Sequence, residues 1–105
     1  MNFLIIGDVV GRTGRNALQK NLKKIQKKFS IDFTIINGEN SAGGYGITGK
    51  IYEDMVGWGA DAITLGNHAW KQEEIITYMQ NNPNHNIIRP LNFTEDSPGQ
   101  GYKIF

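Results

Sequence analysis

The sequence predicts an α/β fold, a mainly parallel sheet in the order β-α-β-α-β-α-β, and three observations predict it. Apolar, β-branched runs recur at Phe3-Leu4-Ile5-Ile6, Phe33-Thr34-Ile35-Ile36 and Ala62-Ile63-Thr64-Leu65, with the composition of strands buried on both faces rather than on one. Stretches of helical periodicity separate them, and strands alternating with helices imply parallel pairing through right-handed crossovers. Each run is followed at once by a polar cluster: Gly7-Asp8, Asn37-Gly38-Glu39-Asn40 and Gly66-Asn67-His68. Open α/β sheets bind ligands beyond the carboxyl ends of their strands. The three clusters are therefore expected to meet in one site, offering mainly oxygen donors with an imidazole beside them, a set suited to divalent metal.

The first strand is expected to run through about Ile6. After the loop from Gly7 to Arg12, Thr13 is positioned to cap a helix reaching about Phe29, with Leu18, Leu22, Ile25 and Phe29 forming its buried stripe. Ser30 and Asp32 interrupt the pattern before the second strand. A long loop from Asn37 to Ile47 follows, containing Gly43-Gly44-Tyr45-Gly46, and Thr48 can cap a short helix that turns Ile51, Tyr52 and Met55 inward. Gly57 and Gly59 are expected to end it. Beyond the third strand, a helix over about Lys71 to Met79 would use Ile75, Ile76 and Met79 as contacts, and Asn81-Asn82-Pro83-Asn84 would stop it. Ile87-Ile88, a Pro90-interrupted stretch to Phe93 and a turn through Pro98 and Gly99 complete the chain, with Tyr102-Lys103-Ile104-Phe105 reading as the start of a strand.

With 105 residues, 39% of them hydrophobic, the chain suits one domain with a modest core. It has no cysteine, which excludes disulfides and thiolate metal sites and fits a reducing compartment, so cytoplasm is the expected location. The first apolar run is too short for a signal peptide, and no stretch has transmembrane length, so no membrane association is expected. The formal charge of +1 conceals a division: residues 1–31 hold seven Lys or Arg against Asp8, whereas residues 32–105 hold four against nine acids. Lys20, Lys23, Lys24, Lys27 and Lys28 fall on the face opposite the apolar stripe, where solvation alone explains them, and no stable binding of duplex nucleic acid is expected. Arg12 and Arg15 lie nearer the polar clusters, and Arg12 is a candidate contact for an anionic substrate.

Phosphate-binding loops fit poorly. Gly7 to Thr13 ends like a Walker loop but is one residue short and has Arg12 in the lysine position, while Gly44 to Lys50 has Ile51 where a hydroxyl should ligate magnesium. Gly7, Gly11 and Gly14 have the wrong first spacing for a dinucleotide fingerprint. Asp8 alone could cap a turn. Glu39 is more telling, because a carboxylate between two amides at the end of an apolar strand is costly unless a cation relieves it. His85, between two asparagines, is expected to be exposed and to have no chemical role.

Three strings, Gly7-Asp8-Val9-Val10-Gly11-Arg12-Thr13-Gly14-Arg15, then Asn37-Gly38-Glu39-Asn40-Ser41-Ala42-Gly43-Gly44-Tyr45-Gly46-Ile47-Thr48, then Gly66-Asn67-His68-Ala69-Trp70, together resemble the YmdB-like bacterial metallophosphoesterases over residues 1 to about 93. The resemblance implies the N-terminal half of a calcineurin-like α/β sandwich and a cytoplasmic phosphodiesterase for cyclic nucleotides or other small phosphodiesters, 2′,3′-cyclic nucleoside monophosphates foremost. It implies two divalent metal ions, iron or manganese. Carried onto this sequence, Asp8 would bind the first metal, Glu39 would bridge both and Asn67 would bind the second. Asn40 would contact a metal or the phosphate, and His68 would protonate the leaving group. Two cations bridged by a carboxylate can generate a nucleophile at neutral pH and neutralise developing charge, while a nearby imidazole supplies a proton.

In one respect the chain departs from this family, whose members are more than twice as long and draw several metal-binding histidines from their second half. His68 and His85 are the only histidines here. The expected ligand set is thus incomplete, residues 1–105 would be a partial metallophosphoesterase domain, and activity of the chain alone would be impaired or absent. An uncovered sheet face would favour a homo-oligomer or pairing with the missing C-terminal half. The alternative function is a non-catalytic binding or interaction module derived from a phosphoesterase fragment.

Overall fold

The computed structural model describes residues 1–105. Its elements are β1 (Phe3–Ile6), α1 (Gly11–Lys28), β2 (Phe33–Asn37), α2 (Gly49–Trp58), β3 (Ala62–Thr64), α3 (Glu74–Asn81) and β4 (Ile87–Ile88). The four strands pair in the order β1-β2-β3-β4, every pair parallel. The predicted α/β class and element order are thus observed.

Strand residues alternate across the sheet. Leu4, Ile6, Thr34, Ile36, Ile63 and Ile87 turn toward the helices, where Ile36 and Ile63 lose all exposure and meet Leu18, Leu22, Met55, Ile75 and Met79 in the core. The opposite face is open. Phe3 and Ile5 remain 56% and 73% exposed, which corrects the expectation of strands buried on both faces. Consecutive strands joined by crossovers of one hand place all helices on one side, so the other side keeps its apolar residues without a covering layer. There Phe105 packs its ring on Phe33 at 5.1 Å, and Phe33 lies 6.1 Å from Phe3, around an apolar hollow of about 470 Å³.

Local signals set several boundaries. The Thr48 hydroxyl accepts from the Ile51 amide at 3.2 Å and caps α2 as expected. Gly59, at φ 126°, ends that helix, and Gly57 lies inside it. Thr13 is not a cap: α1 begins at Gly11, whose amide is held by the Asn40 carbonyl at 3.0 Å. A tertiary partner thus satisfies the helix end that a side chain was expected to satisfy. Phe29 sits at the C-cap, 56% exposed, outside the buried stripe. Helix α3 starts at Glu74, three residues after the expected Lys71, because Gly66 to Lys71 are folded into turns. The last four residues form no strand. Gln100 instead makes an isolated parallel bridge to Ile88. His85 is buried, not exposed: its Nδ1 accepts the Ile87 amide at 3.1 Å and its carbonyl accepts from Lys103. Burial, followed by the nearby Lys103 charge, lowers its pKa below the usual imidazole value.

Candidate functional site

Parallel pairing continues past the strands and draws their terminal loops together. The Val9 amide donates to the Asn37 carbonyl at 3.2 Å, Gly38 to Thr64 at 2.9 Å, and Leu65 to Ile88 at 2.9 Å. Each polar cluster therefore leaves the sheet beside the next. Asp8 takes the left-handed backbone at φ 42°, a conformation that Asp tolerates better than most residues, and it stands exposed beyond β1.

Asn40 joins the clusters. Its carbonyl accepts from both Gly11 and Gly44 at 3.0 Å. Its side-chain nitrogen donates to Asp8 Oδ1 at 2.7 Å, while its Oδ1 lies 2.6 Å from His68 Nδ1. A carboxylate only accepts, so the amide nitrogen must face Asp8 and the amide oxygen His68; Nδ1 then carries the proton. This leaves His68 Nε2 free to accept or deliver a proton.

Glu39 is half-buried, and its carboxylate rests directly on Gly66. A Cβ at Gly66 would lie 2.5 Å from Oε1 and closer still to Cδ and Oε2. Asn67 is exposed beside His68, and Arg12 is exposed on the first turn of α1. Arg15 donates to the Ser41 carbonyl, and the buried Ser41 hydroxyl donates to the Gly38 carbonyl at 2.7 Å. Arg15 and Ser41 thus brace the second loop, a role their residue types did not announce. Gly66 was singled out only as the companion of Asn67 and His68; its need to lack a side chain depends on where Glu39 lies.

The structure brings Asp8, Asn40 and His68 into direct contact and sets Glu39 against the residue preceding Asn67. The donors are hard oxygens plus an imidazole, which suits a divalent ion, and Gly66 leaves the carboxylate room. No group of three or more His, Cys, Asp or Glu side chains is close enough to hold an ion. As a coordination sphere the set is partial. No helix is long and apolar enough to cross a membrane.

Comparison with known proteins gives the same family. The family model described as YmdB-like protein matches residues 4–105. The chain is 48% identical, over 96% of its length, to a 2′,3′-cyclic-nucleotide 2′-phosphodiesterase of Bacillus subtilis and covers 38% of that relative. Among solved structures, a hypothetical protein from Thermus thermophilus superimposes with a TM-score of 0.86 at 36% identity, over 96% of this chain and 38% of that one. A structure described as a novel phosphatase from Mycoplasma pneumoniae gives 0.84 at 34% identity, over 98% of this chain and 38% of that one. The chain thus spans well under half the length of the proteins it matches.

Proposed function

The chain belongs to the YmdB-like protein family, and from that premise we propose that it forms part of a metal-dependent cytoplasmic phosphodiesterase for cyclic nucleotides, 2′,3′-cyclic nucleoside monophosphates foremost. The observation that carries this reading is the Asp8–Asn40–His68 hydrogen-bonded chain, with the Glu39 carboxylate against Gly66 beside it. In this proposal Asp8, Asn67 and Glu39 would hold two divalent ions, iron or manganese, with Glu39 the ligand common to both. The Asn40 oxygen, which has two lone pairs, can accept from His68 and still face a cation or its ligand. When bound, such an ion pair makes water a usable nucleophile at neutral pH and neutralises phosphate charge. The chain's own residues do the rest: the Asp8 carboxylate fixes the Asn40 amide, Asn40 fixes the His68 ring, and Nε2 is the atom through which a proton would reach the leaving oxygen. Arg12 is assigned to the anionic substrate.

We further propose that residues 1–105 are one part of a metallophosphoesterase domain whose remainder supplies additional ligands and covers the open sheet face. The partial ligand set, the 38% coverage of relatives and the exposed Phe3 and Ile5 support this. A second reading, a non-catalytic interaction module, is favoured by the same exposed face together with the absence of a closed ligand cluster.

The test is hydrolysis of a nitrophenyl phosphodiester and of 2′,3′-cyclic AMP with added manganese, by the chain alone and mixed with a separately produced segment covering the rest of a relative's length. The chain alone should be nearly inert, and the mixture should turn over substrate in a way that Glu39→Ala abolishes. Turnover by the chain alone at the rate of an intact enzyme would overturn the partial-site reading. A stable complex that binds no manganese and hydrolyses nothing would favour the interaction module.

A further inference from the structure

Beside His68 stands an aromatic ring that the proton-transfer chain does not use. Tyr45 is 59% exposed, and its ring centroid lies 5.5 Å from that of His68 with the planes inclined at 63°. A tilted contact of this kind cannot cover both faces of the phenol ring.

The backbone carrying this exposed ring is held firmly. The Tyr45 amide donates to the Ala42 carbonyl at 3.1 Å, and its carbonyl accepts from Gln72 Nε2 at 3.1 Å. Gly43, Gly44 and Gly46 all take positive φ around it, a path that only glycine follows without strain. At Gly46 a Cβ would come within 3.0 Å of the His68 carbonyl and 3.1 Å of the Gln72 amide. The second loop therefore sits flush on the segment that carries His68, and Tyr45 is presented at a set distance from the imidazole. Other exposed rings, such as Phe3 and Phe105, belong to the open sheet face instead.

We propose that Tyr45 is the stacking surface for the base of a nucleoside phosphate, whose phosphate lies at the Asp8, Glu39 and Asn67 loops. The Tyr45 ring touches the His68 ring edge-on, so a base stacked on its exposed face would lie next to the group that faces the ester oxygen. Stacking is indifferent to base identity because every base offers a π face, so Tyr45 selects nucleotides over small phosphodiesters without selecting among bases. The inference rests on the phosphodiesterase reading for the chemistry of the substrate, but it concerns binding, which can be measured without turnover.

The experiment compares wild type, Tyr45→Phe and Tyr45→Ala in the chain mixed with the separately produced segment described above. Binding of adenosine 3′-monophosphate and of inorganic phosphate is measured by equilibrium dialysis, alongside KM and kcat for 2′,3′-cyclic AMP and for ethylene cyclic phosphate, which has no base. Tyr45→Ala should weaken adenosine 3′-monophosphate binding and raise KM for the nucleotide by roughly 5- to 100-fold, the range expected for one stacked base. Inorganic phosphate and ethylene cyclic phosphate should be unaffected, and Tyr45→Phe should behave as wild type. Base-dependent binding without turnover in any variant would overturn the phosphodiesterase reading and leave the stacking assignment standing. Equal losses with and without the base, or no loss with either, would overturn the stacking assignment.

Discussion

Replacing Gly66 by alanine tests the geometry at the centre of the site with one methyl group. The new Cβ would lie 2.5 Å from Glu39 Oε1 and nearer still to Cδ and Oε2, so the carboxylate has to retreat by about 1.5 Å to restore ordinary contact. Overpacking of a fixed group costs about 1–3 kcal/mol. The Glu39 carboxylate is the end of a flexible side chain, so the lower part of that range is expected, near 1 kcal/mol. In a domain of this size that corresponds to a melting shift of roughly 4–8 °C. The effect on chemistry should be larger than the effect on stability, because a displacement of about 1 Å can cost on the order of 100-fold in rate. Thermal and urea unfolding of Gly66→Ala, Glu39→Ala and the double variant measure the first claim, and turnover of 2′,3′-cyclic AMP by the Gly66→Ala chain mixed with the remaining segment measures the second. Glu39→Ala removes the atoms that clash, so Gly66→Ala should cost almost nothing in that background. If Gly66→Ala is as destabilising without the Glu39 carboxylate as with it, the carboxylate does not rest on Gly66 and this reasoning is wrong.

Two other expectations can be checked directly. On the roles proposed for Glu39 and His68, Glu39→Ala in any longer form of the chain that completes the ligand set should lose more bound metal than His68→Ala, because a carboxylate shared by two ions would touch both while a proton donor would touch neither; metal analysis showing equal losses would make His68 a ligand. The buried His85 has a folded-state pKa below its unfolded value of about 6.5, so the unfolded chain binds more protons on the acid side. The stability that comes from burying neutral His85 is therefore present above about pH 6.5 and is lost as pH falls toward the folded-state pKa. His85→Asn keeps an acceptor for the Ile87 amide, so its urea midpoint should fall less than that of wild type between pH 7 and pH 5; parallel profiles would refute this.

The first three strands, their parallel pairing and the convergence of the clusters holding Asp8, Asn40 and His68 were legible in the sequence, because apolar runs ending in polar clusters report strand ends; the fourth was not, since the strand expected at Tyr102-Lys103-Ile104-Phe105 does not form and Ile87–Ile88 completes the sheet instead. The Thr48 cap was legible too, since its hydroxyl bonds an amide only three residues away. Other features depended on partners distant along the chain. Helix α1 starts at Gly11 because Asn40, far along the chain, accepts its amide. His85 is buried because Lys103 and Ile87 satisfy its polar atoms. Gly66 must be glycine because Glu39 lies across it, and the tautomer of His68 follows from an amide that Asp8 orients. Composition could not separate strands covered on both faces from strands covered on one, because Phe3, Ile5 and Ile35 are equally apolar in either case. The sequence by itself determined which residues lie at the strand ends and what chemistry they bring. Tertiary structure alone decided which of them touch, which nitrogen of His68 faces Asn40 and which face of the sheet stays open, because hydrogen bonding and burial are set by neighbours in space rather than in sequence.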